Sequence, residues 1–415
     1  MTASWLKLGR RHVWRPYCQH QTAPDPLPVV GARGCRLLLA DGRSLVDGIA
    51  SWWTAAHGYA HPHIATRVRA QLEQLPHVAF GGLAHEVGYT LAARLASLFP
   101  ESLNRVFFVE SGSVAVEVAL KIALGAARGT ARTDVVAFEG AYHGDTFATM
   151  ALSDPVESMH AGFAARCSFP IHHFPISESD EAFAARFASV APTTAACIIE
   201  PLLQGAGGMR LHEAQVLRRL RAACTKHGVS LIFDEVATGF FRTGPRFALD
   251  EAGVVPDVVV CGKALTGGTL PLAAVVASDG LFDSFLGSDP AMALQHGPTY
   301  MANPLACAAA HASLDLFDAG DFGARVSALQ AKLKAGLAPL ATRRGVREVR
   351  IKGGVGVVEL ESGAAPSSAS LARRGVFLRP LRFADRDVVY LMPPLVIDDD
   401  DLGALLAALA AELTG

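Results

Sequence analysis

No stretch of this 415-residue sequence is apolar for the ~18 residues a membrane-crossing helix needs, so no such helix is expected. The longest candidate, Leu402–Ala411, is short and rich in alanine and leucine, and reads as a packed helix. Neither sign of charge dominates. The 37 basic and 39 acidic residues leave a net charge of −2, which offers nothing to a nucleic acid or another polyanion. One local basic run, Arg218, Arg219 and Arg221, reads as a solvated helix face. Cysteine is sparse: the seven residues, Cys18, Cys35, Cys167, Cys197, Cys224, Cys261 and Cys307, are odd in number, widely spaced and never in a Cys-X-X-Cys pair. That argues against a disulfide framework or a zinc cluster and points to reduced thiols in a cytoplasmic protein. Residues Met1–Lys7 show no long apolar stretch behind a basic start, so no export signal is expected. There is no internal repeat and no low-complexity linker. No Gly-X-Gly-X-X-Gly follows the first strand-like run, which argues against a dinucleotide enzyme.

What is present is an alternation. The runs Arg105–Val109, Val135–Phe138, Ala196–Ile199, Ser230–Phe233 and Val258–Cys261 are largely apolar throughout, as strands buried on both faces are. Helix-like segments such as Val114–Ala127 and Ala214–His227 lie between them. This predicts an α/β fold with a mostly parallel central sheet. The length suggests two or three domains at ~100–200 residues each, with core enough to need no covalent staple. Residues 1–50 differ, with many Pro and Gly, short β-like runs at Val29–Val30 and Arg36–Leu39, and a turn at Asp41-Gly42. After Pro304 an Ala/Leu helix around Ala306–Phe317 leads into Glu348–Ile351, Gly356–Leu360, Val376–Arg379 and Val388–Leu391, a small α+β texture. The expected divisions are 1–50, 51–304 and 305–415.

In such sheets ligands sit beyond the carboxyl ends of the strands, so residues just after each run matter most. Ser111-Gly112-Ser113 follows the first run and opens a helix. Free N–H groups there favour an anion such as a phosphate, although an ordinary serine cap fits the same pattern. Asp234 closes the run Leu231-Ile232-Phe233. A carboxylate so placed can pair with a protonated pyridine nitrogen, or equally serve a metal or the fold. Lys263 follows Val258–Cys261 and Gly262, where burial would lower its pKa and make its amine nucleophilic. Singly each is weak. Together, an Asp and a Lys closing buried strands below a Ser-Gly-Ser helix start point to pyridoxal phosphate (PLP). Tyr142, after Val135–Phe138, could stack on a planar cofactor. Trp52 and Trp53 could instead be core aromatics, and His61, His63, His172 and His173 read as structural or surface residues. The turn His296-Gly297-Pro298-Thr299 carries a hydroxyl that could reach a phosphate. Arg379, at the end of a short strand, and Arg242 are candidate carboxylate clamps, with surface ion pairs as the plainer alternative.

Over nearly its whole length the sequence resembles the fold-type I, class III PLP aminotransferases. The resemblance is carried by Trp14-Arg15-Pro16-Tyr17, Ser51-Trp52-Trp53, His57-Gly58-Tyr59, the Ser111–Glu117 run and Ala141-Tyr142-His143-Gly144-Asp145-Thr146. It continues through Glu200-Pro201, Asp234-Glu235, Gly262-Lys263-Ala264-Leu265-Thr266-Gly267-Gly268, His296–Met301 and Leu391-Met392-Pro393-Pro394. It implies a large PLP-binding domain and a small α+β domain formed by the two chain ends. It also implies a Schiff base on Lys263, a pyridine-nitrogen partner in Asp234, and a ring-stacking, substrate-lining Tyr142. Gly112 and Ser113 would hold the phosphate, with Pro298 and Thr299 reaching over from a second subunit of a homodimer. Tyr17, Trp52, Gly297 and Arg379 would contact substrate. Within the family the likeness is to the biotin-pathway branch. The expected substrates are therefore S-adenosylmethionine as amino donor and 8-amino-7-oxononanoate as acceptor. A lysine donor, another ω-amine substrate, or a non-catalytic PLP-binding regulator are the rivals. Three positions depart from the family pattern: Arg15 stands where His is common, Ala60 where Asn is common, and Phe241 where Gly is expected beside Arg242. The last puts the role of Arg242 in doubt.

Overall fold

The computed structural model describes residues 4–163 and 167–413, so the first three residues of the stretch Met1–Lys7 lie outside them. Seven strands form the central sheet. In chain order they are β1 (Leu103–Val109), β2 (Asp134–Phe138), β3 (Ile171–Phe174), β4 (Thr194–Ile199), β5 (Ser230–Asp234), β6 (Val258–Cys261) and β7 (Ala273–Ser278). Side by side the order is β1-β7-β6-β5-β4-β2-β3. Every residue of β2, β4 and β6 is buried, as their unbroken apolar runs imply. The pairings are parallel except those of β7, which runs antiparallel to both β6 and β1. The sequence reading did not anticipate β7. Its cause is connection length. The stretch 262–272 is shorter than the dozen or so residues of a parallel crossover, so the chain must come straight back.

Helix α1 (Gly112–Ala126) covers one face of this sheet, and its alanines and valines let it lie close. Helix α2 (Ala214–His227) ends at Gly228, whose φ of 65° turns the chain out of the helix. The basic run on α2 is not a solvated face. The side chains of Arg219 and Arg221 are only 11% and 20% exposed. Arg219 donates to the Ile176 and Glu178 carbonyls, Arg221 to Asp257, and Arg218 to the Ala252 carbonyl, so the three fasten α2 to its neighbours. Helix α3 (Pro304–Ala319) packs against helix Pro62–Gln74 and against the turn that begins at Lys263.

The two chain ends meet in one sheet. Strands Val29–Arg33, Arg36–Leu39 and Ser44–Asp47 form an antiparallel set, and Val376–Phe377 joins it parallel to Ser44–Asp47. The strand expected to reach Arg379 stops at Phe377, whose partner Asp47 is the last residue of its own strand. Strands Val346–Lys352, Val355–Glu361, Leu381–Arg382 and Arg386–Leu391 build a second antiparallel sheet. Each buried Val or Leu contributes roughly 1.5–3 kcal/mol. With a core of this size no covalent staple is required, and the seven cysteines stand as separate thiols.

Candidate active site

The carboxyl ends of β1, β2, β4, β5 and β6 deliver Ser111–Ser113, Tyr142–Asp145, Glu200, Asp234 and Lys263 in turn. Lys263 is half-buried, and its ammonium lies 4.1 Å from the centre of the Trp53 ring. Burial pulls its pKa down to about 8, against the opposing pull of Asp234, Glu200 and Asp145. Asp234 is buried at the end of β5. One of its oxygens accepts from the Val236 amide at 3.1 Å, and the other lies 2.7 Å from His143 Nδ1. Burial opposes charge on His143, yet the bonded Asp234 carboxylate raises its pKa overall. Glu200 accepts from the amides of Tyr142 and Gly205 at 2.8 and 2.9 Å, and burial pushes its pKa up to about 7.

At the start of α1, Ser111 Oγ caps the Val114 amide at 3.3 Å, so the plain cap is real. The position still leaves other N–H groups of the first turn free for an anion. Ser113 Oγ accepts from the Asp145 amide at 3.1 Å, which leaves its hydroxyl hydrogen to donate elsewhere. Small residues are obligatory here. A Cβ on Gly112 would fall 2.9 Å from Val236 Cγ1, and one on Gly144, at φ 130°, would run into the Ser113 side chain.

A second group forms the mouth. The rings of Tyr17 and Trp52 meet edge to face, 5.9 Å apart. The Arg379 guanidinium lies 5.1 Å from the Trp52 ring centre and donates to the Tyr17 carbonyl at 3.2 Å. The Tyr17 and Trp52 rings thus both lie within about 6 Å of that guanidinium, at a distance where cation and ring attract. Asp145 gathers the tyrosines: it accepts from Tyr142 Oη at 2.8 Å and from Tyr17 Oη, and lies 2.9 Å from His160 Nε2. Burial and the bond to Asp145 push the Tyr17 pKa up to about 12.

Comparison with known proteins settles the family. The class III aminotransferase model matches residues 17–413. The chain belongs to the class III aminotransferases. A relative from Synechococcus elongatus, named adenosylmethionine-8-amino-7-oxononanoate aminotransferase, is 42% identical over 96% of this chain and 97% of its own. A crystal structure of a protein of that name from Methanocaldococcus jannaschii superposes with a TM-score of 0.93 at 27% identity, covering 99% of this chain and 98% of the other. A PLP-bound amine transaminase from an uncultivated Pseudomonas species gives a TM-score of 0.88 at 30% identity, covering 97% and 98%. This aminotransferase is therefore a fold-type I, PLP-dependent enzyme. The residues present fit that cofactor: a half-buried, low-pKa amine, a buried carboxylate held by a histidine, and a helix start stripped of side-chain bulk.

The structure brings together most of the residues read from the sequence. Tyr17, Trp52, Tyr142 and Arg379 share the mouth, and Gly112 and Ser113 share the helix start. Gly297, Pro298 and Thr299 stand apart. Within one chain their turn lies beside the middle of α1, with His296 Nδ1 3.1 Å from Lys121 Nζ, rather than at the helix start. Arg242 is not an open clamp. It is buried and donates to the Gly354 and Pro393 carbonyls at 3.1 and 2.9 Å, so it ties the large sheet's loop to the C-terminal region. Burial lowers its pKa to about 9. His63 and His172 pair with Asp315 and Asp134, in keeping with structural roles. Trp53 is core and Trp52 is 39% exposed, so the pair divides between the two readings. Sequence reasoning passed over His143, Asp145 and Trp53 as individual site residues. His143 and Asp145 carried a usable signal, since they follow β2 directly beside Tyr142.

Proposed function

We propose that this aminotransferase moves an amino group from S-adenosylmethionine to 8-amino-7-oxononanoate, giving 7,8-diaminononanoate in cytoplasmic biotin synthesis. The observation that carries it is the grouping of Arg379 with Tyr17, Trp52 and Tyr142 ahead of Lys263, in a chain so similar to a protein bearing that name. PLP, when bound, supplies an electron sink for charge developing on the carbon next to the amine. Lys263 anchors it and afterwards carries the proton between substrate atoms. A pKa near 8 suits that work, because an appreciable fraction of the amine is free base near neutrality. Asp234, oriented by His143, would pair with the ring nitrogen and keep it protonated. Gly112, Ser113 and the first turn of α1 would hold the phosphate, and Tyr142 would stack on the ring. Pro298 and Thr299 act from a second copy of the chain in a homodimer, a reading supported by their position away from their own helix start. Gly297 and the aromatic walls contact substrate, and stacking tolerates two molecules of unlike shape. Arg379 grips the carboxylate of the oxononanoate. The divisions 1–50, 51–304 and 305–415 correspond, in this proposal, to a small domain of both chain ends around a large one. Support comes from the pairing of Val376–Phe377 with Val46–Asp47.

Visible-absorption titration of the holoenzyme tests this. Bleaching by S-adenosylmethionine and recovery with 8-amino-7-oxononanoate are expected. Bleaching by lysine or another amine alone would overturn the donor and retain the cofactor chemistry. Arg379→Ala is expected to raise KM for the oxononanoate by about 10–100-fold, with a far smaller effect on the donor. Equal effects on both substrates would remove its assigned role.

A further inference from the structure

We propose that Ser313 and His57 form a positioning device for Lys263, acting on the backbone beside the lysine rather than on its amine. The inference rests on Lys263 carrying the cofactor. Lys263 opens a single 3₁₀ turn, Lys263–Thr266, and its own φ is 44°, a left-handed conformation that residues with side chains avoid. Such a conformation persists only where the surroundings hold it. Here the neighbouring carbonyl is held. Ser313 Oγ, on buried helix α3, donates to the Ala264 carbonyl at 3.0 Å. A serine inside a helix ordinarily returns its hydroxyl to its own helix, so this bond to another element is a departure.

The donor order follows from valence. Serine has one hydroxyl hydrogen, and here the Ala264 carbonyl takes it. Ser313 Oγ can then only accept from His57 Nε2, which lies 3.0 Å away. His57 must therefore carry its proton on Nε2. Burial supports a neutral ring by holding its pKa down at about 3. The imidazole cannot swing, because it is packed 4.2 Å from the Phe317 ring centre and 5.5 Å from that of Phe322. The fit extends to Gly267 at the end of the turn. A Cβ there would fall 2.8 Å from Ile64 Cδ1 and 3.3 Å from His57 Cδ2. The short segment that supplies His57 also supplies Trp53, whose ring faces the lysine ammonium. One segment thus bears on Lys263 twice, at the ammonium through Trp53 and at the neighbouring Ala264 carbonyl through Ser313. The consequence is geometric: a drift of φ by some tens of degrees swings the end of a lysine side chain by an ångström or more, enough to cost roughly a hundredfold in a proton transfer.

The test uses the holoenzyme. Borohydride reduction and peptide mapping of the wild type first locate the cofactor. A label elsewhere than Lys263 removes the premise, whatever the variants do. Ser313→Ala, in an alanine-rich helix, is expected to lower kcat about tenfold with KM for both substrates unchanged. It should also move the pH at which the visible band titrates by about half a unit or more. His57→Leu should do the same, and His57→Gln, which keeps a donor, should restore most of both. Unchanged kcat and band pH in Ser313→Ala would overturn the proposal, even if thermal stability fell. Should that variant not fold, equal behaviour of the Leu and Gln variants would overturn it instead.

Discussion

Among the side chains held where the backbone favours glycine or asparagine, two mark departures from the family pattern. Ala60 has φ 53° and Phe241 φ 70°. A left-handed residue with a Cβ costs on the order of 1 kcal/mol. The two sites differ in what offsets that cost. Phe241 packs its ring 5.6 Å from Phe317 and 5.8 Å from Phe322, with Arg246 above it. The ring therefore turns into the aromatic cluster and leaves Arg242 in its own buried slot. Exposed Ala60 has no such packing. Ala60→Asn is expected to stabilise the protein by roughly 0.5–1 kcal/mol, since Asn tolerates this conformation. Phe241→Gly is expected to destabilise by about 1–3 kcal/mol, because lost packing outweighs relieved strain. Urea unfolding midpoints measure both, and a less stable Ala60→Asn would contradict the strain argument.

At the scale of elements, Glu235 ties β5 to the helix Ala248–Ala252. Its carboxylate accepts from the Ala248 and Leu249 amides at 2.6 and 3.2 Å and from the Thr238 hydroxyl. Burial nevertheless pushes its pKa up to about 8. With the folded value above the unfolded one near 4.3, the folded state binds the extra proton between the two. Stability therefore falls as pH rises from about 4 to about 8, and the full penalty persists above that. Glu235→Gln, which keeps an accepting oxygen, is expected to be nearly neutral at pH 4.5 and stabilising by on the order of 2–3 kcal/mol at pH 9. A gain that does not depend on pH would refute this. The strands closing on Asp234 and Lys263 were legible because burial on both faces writes itself as an unbroken apolar run. The same logic led to the helix start at Ser111. β7 went unread, because its one signal, the shortness of 262–272, is a matter of length rather than composition. Ser313 had no local signal at all: one serine among alanines says nothing of a carbonyl on another element. Arg242 and the α2 arginines were misread because a long side chain's burial is decided by neighbours distant in sequence.

At the scale of the whole molecule, the N-terminal segment is bound to the site more than to the core. Helix Ser4–Gly9 buries no residue, and its ion pair between Arg10 and Asp25 is exposed. Removing residues 1–25 is expected to shift Tm by less than about 3 °C and to leave PLP bound, since little packing is lost. It should lower kcat/KM by about a hundredfold or more through loss of Tyr17. A large fall in Tm would show that the segment is structural. Among the described residues no helix is long and apolar enough to cross a membrane.

The order of the central sheet also sets a clock on synthesis. β1, at the sheet edge, pairs only with β7 among the described residues. At ~5–20 residues per second, the roughly 160 residues from Val109 to Ala273 take on the order of ten to thirty seconds to emerge from the ribosome. Through that interval β1 waits without its strand partner, Val106 and Phe108 on the face that packs with helix Glu86–Ala96 and Phe107 on the face that packs with α1. The arrangement that lets the lysine turn come straight back thus leaves the nascent chain with an open, sticky edge until nearly two thirds of it has been made.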